Sequence, residues 1–470
     1  MNLPAMILPR VYLKNIKRSF HSSQKYYVKH RNPFVRTWET LFKDVKAGLN
    51  MDTNPVYPEH ADVVIVGGGF IGASAAYWLK TRAGKGLSVI VLEKDPMYTN
   101  NHKMLSHGVL TQHFSLAENI YLSQFSAEFF RNIKEHLGDN VDLQYCPIGQ
   151  LLLASDKYVE KLEQNVDAQK DYGIRSKLLT IQEIQDRYPW INASDIKLGC
   201  IGTESEGVFN ATELLRGYIQ KSQELGANFI KSEVIGFEME VQRDVLMEGI
   251  EPGSFQKINR LLYKTDDDEI HSLKFAACVI AAGSEATNIA KLAKIGTSKG
   301  LLKEHLPIEK REYNIYSVEN AKSEMAVGLD SPFVMDTSGL WLRRNGLQNN
   351  LVCGQIPSIK QDSGYSDTEV FQASLLNRYP HLKDSEIKVV STEVTDCNTY
   401  DDTGIIGPHP YHSNLIFATG FGRQGVQHSP GIGRAVAELV IDCQYNGIDF
   451  TRYGFDRILI NEPLIETNVY

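Results

Sequence analysis

Three glycines, Gly67, Gly69 and Gly72, stand where the apolar run Val63–Val66 gives way to a helical pattern through Leu79. The G-x-G-x-x-G spacing is the chemistry of a dinucleotide site. The first glycine permits a tight turn, the second lets the backbone approach a pyrophosphate, and the third lets the helix pack against its strand. The helix N-terminus then offers unpaired N–H groups to phosphate charge. Glu93 ends a second apolar strand, Ser88–Leu92, 21 residues past Gly72, where an acid can accept hydrogen bonds from a ribose. Ala76 and Leu79 are expected to face the sheet. The 17-residue uncharged run Val63–Leu79, broken by three consecutive glycines, is too short for a membrane span.

Two later stretches repeat the theme of an apolar strand running into small residues. Ala277-Cys-Val-Ile-Ala-Ala-Gly283 places Ala282 and Gly283 at a strand end, ahead of a helix from about Glu285. Leu415-Ile-Phe-Ala-Thr-Gly-Phe-Gly-Arg-Gln-Gly425 carries Gly420, Gly422 and Gly425, and Pro430 is expected in the first turn of a helix running to about Cys443. His102, His107 and His113 lie five and six apart in the loop after Glu93, which is not the spacing of one helical face, so they read as surface or loop histidines and no metal is expected.

The elements that must position these residues follow from periodicity and punctuation. Helices are expected over residues 117–138, 156–172, 181–187 and 211–225, the last closed by Gly226. Strands are expected as a pair over Leu143–Ala154, at Asn228–Ile230, and as an antiparallel sheet over 306–356 and 386–396. At 470 residues, 42% hydrophobic and 23% charged, the chain is globular and longer than one ordinary domain. Its six cysteines show no C-x-x-C spacing, which argues against a zinc site or a disulfide framework and fits a reducing compartment.

The net charge of −8 hides an asymmetry, because residues 1–38 hold eight Lys and Arg and no Asp or Glu. Removing those eight cations leaves the remainder twice as negative, which argues against nucleic-acid binding. A basic, acid-free start with Leu, Ile, Phe and Ser interspersed has the composition of a mitochondrial transit peptide; a basic arm for nucleic acid or a membrane surface is the alternative.

The Gly67/Gly69/Gly72 turn with Glu93, the Val279–Gly283 strand end and the Phe417–Gly425 loop, in that order, resemble the D-amino-acid-oxidase-like FAD-dependent oxidoreductases, a group that includes sarcosine and dimethylglycine dehydrogenases. The resemblance spans about residues 61–445. It implies an α/β fold, a Rossmann-type FAD-binding domain interleaved with an α+β domain whose antiparallel sheet roofs the flavin. The implied order is a transit peptide (1–38), a linker (39–60), FAD-binding parts at 61–140, 205–300 and 395–450, cap parts at 141–204 and 301–394, and a C-terminal tail (451–470).

The cofactor implied is non-covalent FAD. Gly67, Gly69 and Gly72 would contact the pyrophosphate, Glu93 the ribose, Ala282 and Gly283 the cofactor backbone-on, and Gly420, Gly422 and Gly425 the flavin edge. Arg343 stands where relatives carry a substrate-side or flavin-side arginine, the alternative being a solvated strand arginine. A linkage through His107 is not expected, because the register is off by one.

Phe114–Asn119, Pro189–Asn192, Asp336–Gly339 with Arg343-Arg344, Gly404–Pro410 and Pro430–Glu438 resemble more closely a mitochondrial subgroup that serves in assembly of respiratory complex I. That resemblance implies a location in the matrix or on the matrix face of the inner membrane. It also implies partners among complex I subunits or intermediates, with membrane association peripheral at most. The alternative is an active oxidase or dehydrogenase of a secondary or N-methyl amine. Three departures bear on turnover: Thr99–Met104 replaces a Ser/Thr-rich segment, Gly422-Arg-Gln-Gly425 lacks a histidine usual in the late loop, and Ser391-Thr-Glu393 replaces a Trp-x-Gly.

Overall fold

The apolar run ahead of the first glycine forms a strand, His60–Val66, that lies between and parallel to Val89–Glu93 and Ile270–Ile280. The computed structural model describes residues 57–96, 108–202, 204–247, 250–319, 327–346, 350–356 and 368–467. The transit-peptide segment, most of the linker, His102, His107 and Thr99–Met104 lie outside the described residues.

Outward from the first strand, Val89–Glu93 pairs parallel with the start of Asn228–Val241, and Ile270–Ile280 pairs parallel with Leu415–Thr419. Among the described residues five parallel strands result, with Ile405–Pro408 antiparallel at one edge. Alternation divides their side chains between two faces. Val63, Ile65, Val89 and Val91 pack with Ala75, Ala76 and Leu79 of the helix Phe70–Ala83, as expected for Ala76 and Leu79. Val64, Val66, Ile90 and Cys278 pack on the other side with Ala286 and Ala290. Burial on both faces is why these strands are continuous apolar runs.

The expected short strand at Asn228–Ile230 runs on to Val241. Beyond Lys231 it leaves its parallel neighbour and forms an antiparallel meander with Gln256–Thr265 and Ile270–Lys274.

The second sheet has eight strands among the described residues. Its order is Glu386–Asn398, Ile308–Glu319, Leu351–Gln355, Leu340–Arg344, Phe333–Asp336, Gln150–Ser155, Ile196–Gly202 and Ser176–Leu179. Neighbours are antiparallel except Phe333–Asp336 with Gln150–Ser155. This sheet is built from two stretches of chain, 150–202 and 308–398, that interrupt the first.

Three expectations need correction. The strand pair over Leu143–Ala154 reduces to Gln150–Ser155: Pro147 lacks a ladder donor and Gly149 turns at φ +85°, so the preceding residues run irregularly. The helix over 117–138 breaks at Asn132 into Ala117–Arg131 and Ile133–Leu137. The last long helix begins at Gln424, so Pro430 lies inside it. Pro430 has no N–H for the Val426 carbonyl, and the Ser429 hydroxyl donates to that oxygen instead at 2.8 Å.

Among the described residues no helix is long and apolar enough to cross a membrane.

Candidate functional site

The glycine turn is built from the backbone outward. Gly67 has φ +98°, and a Cβ there would stand 2.3 Å from the carbonyl oxygen of Ala281 on the neighbouring strand. Gly72 lies so close beneath the turn that a Cβ would come within 1.9 Å of the Gly67 carbonyl oxygen. Only glycine satisfies either position. Gly69 is different: nothing lies within 4 Å on its Cβ side, and it is the N-cap of the helix Phe70–Ala83, where it provides no side-chain cap. Glu93 faces the turn. One of its carboxylate oxygens accepts from Gly68 N at 2.6 Å and the other from Asp95 N at 2.8 Å.

These residues line a cavity of about 390 Å³ at the carboxyl ends of the parallel strands, with Gly67, Gly69, Glu93, Ala282, Gly283 and Gly422 on its wall. Gly283, at φ +53°, leaves open space where a side chain would project. Gly72, Gly420 and Gly425 do not line it. Gly72 and Gly425 allow close packing, the latter against Phe421 and Ile71, while the Gly420 N–H donates to Asp396 at 2.6 Å.

A second cavity of about 670 Å³ shares Thr395, Asp396 and Gly422 with the first, so the two adjoin. Each is within the roughly 300–1,000 Å³ usual for ligand sites. The larger is walled by Phe114, Tyr158, Tyr313 and Phe421, by Arg311 and Arg423, and by His428 and Glu466. The late loop turns through Gly420 (φ +78°) and Gly422 (φ +54°) and delivers the true N-terminus of the helix Gln424–Asp442 to the junction of the two cavities. The positive end of that helix favours negative charge there.

Three buried polar atoms on this wall have no hydrogen-bond partner among the described residues: Thr395 Oγ1, Arg423 Nε and His428 Nδ1.

Burial pushes the Asp396 carboxyl up to about 6, opposed by the Gly420 N–H. Burial pulls His428, packed 5.0 Å from the Phe114 ring, down to about 3, so it is a neutral imidazole at physiological pH.

His113 is not a surface residue. It is 4% exposed, and its Nε2 lies 3.4 Å from Glu206. Burial opposes its charge, but the Glu206 carboxylate and Cys200 override this and hold its pKa well above the ordinary value. Arg343 stands on Leu340–Arg344 outside both cavity walls; burial lowers its guanidinium to about 10, with Glu393 opposing.

Sequence reasoning did not single out His428, Asp396, Arg423 or Glu466. For His428 a signal existed. It stands four residues after Gln424, one helical turn on, and both line the larger cavity. Asp396 and Glu466 reach the wall only through long-range pairing, for which no local pattern exists. Among the described residues no group of His, Cys, Asp and Glu has the arrangement of a metal site.

A Gly-rich strand-to-helix turn, an acid closing the second strand, and a ligand cavity walled in part by the second sheet define a dinucleotide-dependent oxidoreductase. Residues 62–439 match the FAD dependent oxidoreductase (DAO) family, and the chain belongs to that family. The FAD-dependent oxidoreductase domain-containing protein 1 homolog of Drosophila melanogaster is 39% identical over 419 residues, covering 88% of this chain and 81% of that protein. The Mus musculus FAD-dependent oxidoreductase domain-containing protein 1 is 36% identical over 455 residues, covering 93% and 92%. The solved structure of L-proline dehydrogenase from P. horikoshii shares the fold, with a TM-score of 0.68 at 20% identity over 87% of this chain and 100% of that one. The protein is a FAD-dependent oxidoreductase of the D-amino-acid-oxidase type with FAD as its cofactor. Its residues fit that cofactor: open space beside Gly69 and Gly283, an acceptor-only carboxylate at Glu93, and a helix N-terminus at the cavity junction.

Proposed function

We propose that the chain is a mitochondrial flavoprotein that oxidises a small secondary or N-methyl amine, or an amino acid of that kind, held in the larger cavity. Bound FAD supplies the hydride acceptor. The observation that carries the reading is the larger cavity itself, walled by Phe114, Tyr158, Tyr313, Phe421, Arg311 and Arg423 and adjoining the cofactor cleft through Thr395, Asp396 and Gly422. The Arg423 guanidinium, 5.9 Å from the Trp341 ring centre, supplies positive charge for an anionic group of the ligand. Neutral His428 offers hydrogen bonding, and the aromatic wall of Phe114, Tyr158, Tyr313 and Phe421 excludes water from the reacting carbon. An anaerobic survey of N-methyl amino acids tests this. Bleaching of the flavin absorbance by one of them is expected, and bleaching by none counts against it.

A second role, in assembly of respiratory complex I, is favoured by the close resemblance of the Phe114–Asn119, Gly404–Pro410 and Pro430–Glu438 motifs to the mitochondrial assembly subgroup, and by the basic, acid-free residues 1–38. The partners would be complex I subunits or assembly intermediates at the matrix face. Loss of the chain should then lower assembled complex I on native gels. Normal complex I in its absence removes this role and leaves the oxidation reading intact.

A further inference from the structure

The helix Ala117–Arg131 starts at Leu116, whose side chain cannot accept a hydrogen bond, and no local residue caps it. The acceptor comes from Glu466, about 350 residues along the chain. One Glu466 oxygen accepts from Ser115 N at 2.6 Å and also from the Ser115 hydroxyl; the other accepts from Leu116 N at 3.2 Å and from Asn119 Nδ2 at 2.8 Å. The segment around Glu466 is pinned on both sides. Upstream, buried Leu464 donates its N–H to Asp401 at 2.9 Å and accepts from the Thr403 hydroxyl at 2.6 Å. Downstream, Thr467 donates to Ser115 Oγ at 2.9 Å and accepts from Asn165 Nδ2, on the helix Val159–Asp171, at 2.9 Å. Ile465 and Glu466 line the larger cavity, as do Phe114 and Asn119.

We propose that residues 464–467 form a strap across the larger cavity and that Glu466 is its latch, a positioning residue that fixes the Phe114–Asn119 wall and governs what reaches the flavin from that side. Both carboxylate oxygens are already engaged by donors of this chain, so Glu466 holds the wall and is not itself an anchor for a ligand cation. A carboxylate at the positive end of a 15-residue helix gains from the dipole as well as from the hydrogen bonds. Without the carboxylate the four bonds from Ser115, Leu116 and Asn119 are lost, and the wall segment is held to the strap by Thr467 N to Ser115 Oγ.

The inference rests on the larger cavity being the route to bound FAD, and the experiment separates the two claims. FAD-loaded Glu466→Ala and the unaltered chain are compared by amide hydrogen exchange and by iodide quenching of flavin fluorescence. Exchange at the Ser115 and Leu116 amides should quicken by about fivefold or more, the effect of losing a helix cap. The amides of His60–Val66 should be unchanged, and iodide should quench the flavin severalfold more efficiently at the same FAD content. Unchanged exchange at 115–116 overturns the latch. Faster exchange with unchanged quenching overturns control of access and leaves Glu466 a structural cap. Should Glu466→Ala fail to fold, Glu466→Gln keeps the size and one acceptor oxygen and should move both readouts in the same direction by less; no movement in either overturns the proposal equally. A chain that takes up no FAD defeats the functional reading, while the exchange measurement still decides the latch.

Discussion

Gly67 and Asp396 show what single residues contribute to the site. At Gly67, φ +98° and an Ala281 oxygen 2.3 Å from any Cβ mean that Gly67→Ala must shift one strand against its neighbour. Destabilisation by at least about 1 kcal/mol is expected, together with a lower FAD-to-protein ratio, checked by thermal melting and absorbance. Asp396 titrates at about 6 in the fold against an ordinary 3.8, because burial disfavours its charge. Its contribution to stability is therefore fully present below about pH 3.8 and is lost as pH rises through about 6. Asp396→Asn keeps an acceptor for Gly420 N but removes this titration. The variant should gain stability relative to the parent on going from pH 4.5 to pH 7, measured by denaturant midpoints; a constant difference would show that Asp396 does not titrate there. The glycines and Glu93 were legible in the sequence because their chemistry is local to a turn and a strand end. Asp396 was not, since its environment is made by Gly420, 24 positions away.

At the scale of elements, the buried His113–Glu206 pair ties the Thr111–Phe114 segment to the chain just after Ile196–Gly202, and Gln112 N donates to the same carboxylate at 2.6 Å. Glu206→Gln removes the counter-charge, so the buried His113 must give up its proton in the folded state, and should cost about 3–5 kcal/mol at pH below 6.5. The raised His113 pKa makes the pair's contribution complete below its ordinary 6.5 and lost as pH rises through its much higher folded value. The parent should therefore lose stability on the alkaline side and Glu206→Gln should not, read from melting temperature against pH. The parallel strands were legible as apolar runs, and the helices at Val159–Asp171 and Ile181–Arg187 as a polar segment and a short one ahead of Pro189; the Thr180–Glu183 capping box that starts the second was not read from the sequence. The start of the helix at Gln424 was not. Proline in a first turn is the commoner arrangement, and it was outweighed by Ser429 serving the carbonyl that Pro430 leaves unpaired.

Across the whole molecule, one sheet draws its strands from residues 60–93, 228–280 and 405–419, and a second, from 150–202 and 308–398, is threaded between them. The interleaving was expected from the family resemblance that the three small-residue strand ends carry. The strand order of the second sheet and the return of Leu464–Thr467 over the larger cavity depend on contacts between distant residues, which periodicity does not encode. A ligand that binds only the folded state stabilises it by about 2.7 kcal/mol at a hundred times its dissociation constant. Added FAD should therefore raise the melting temperature of cofactor-depleted protein, and should not do so for Gly67→Ala.

The central claim is that the cleft at the strand ends and the larger cavity beside it form one FAD-centred site. The visible absorption spectrum of the purified chain tests it most directly. Oxidised-flavin bands at close to one FAD per chain are the predicted result, whereas a colourless protein that stays colourless after FAD is added would contradict it.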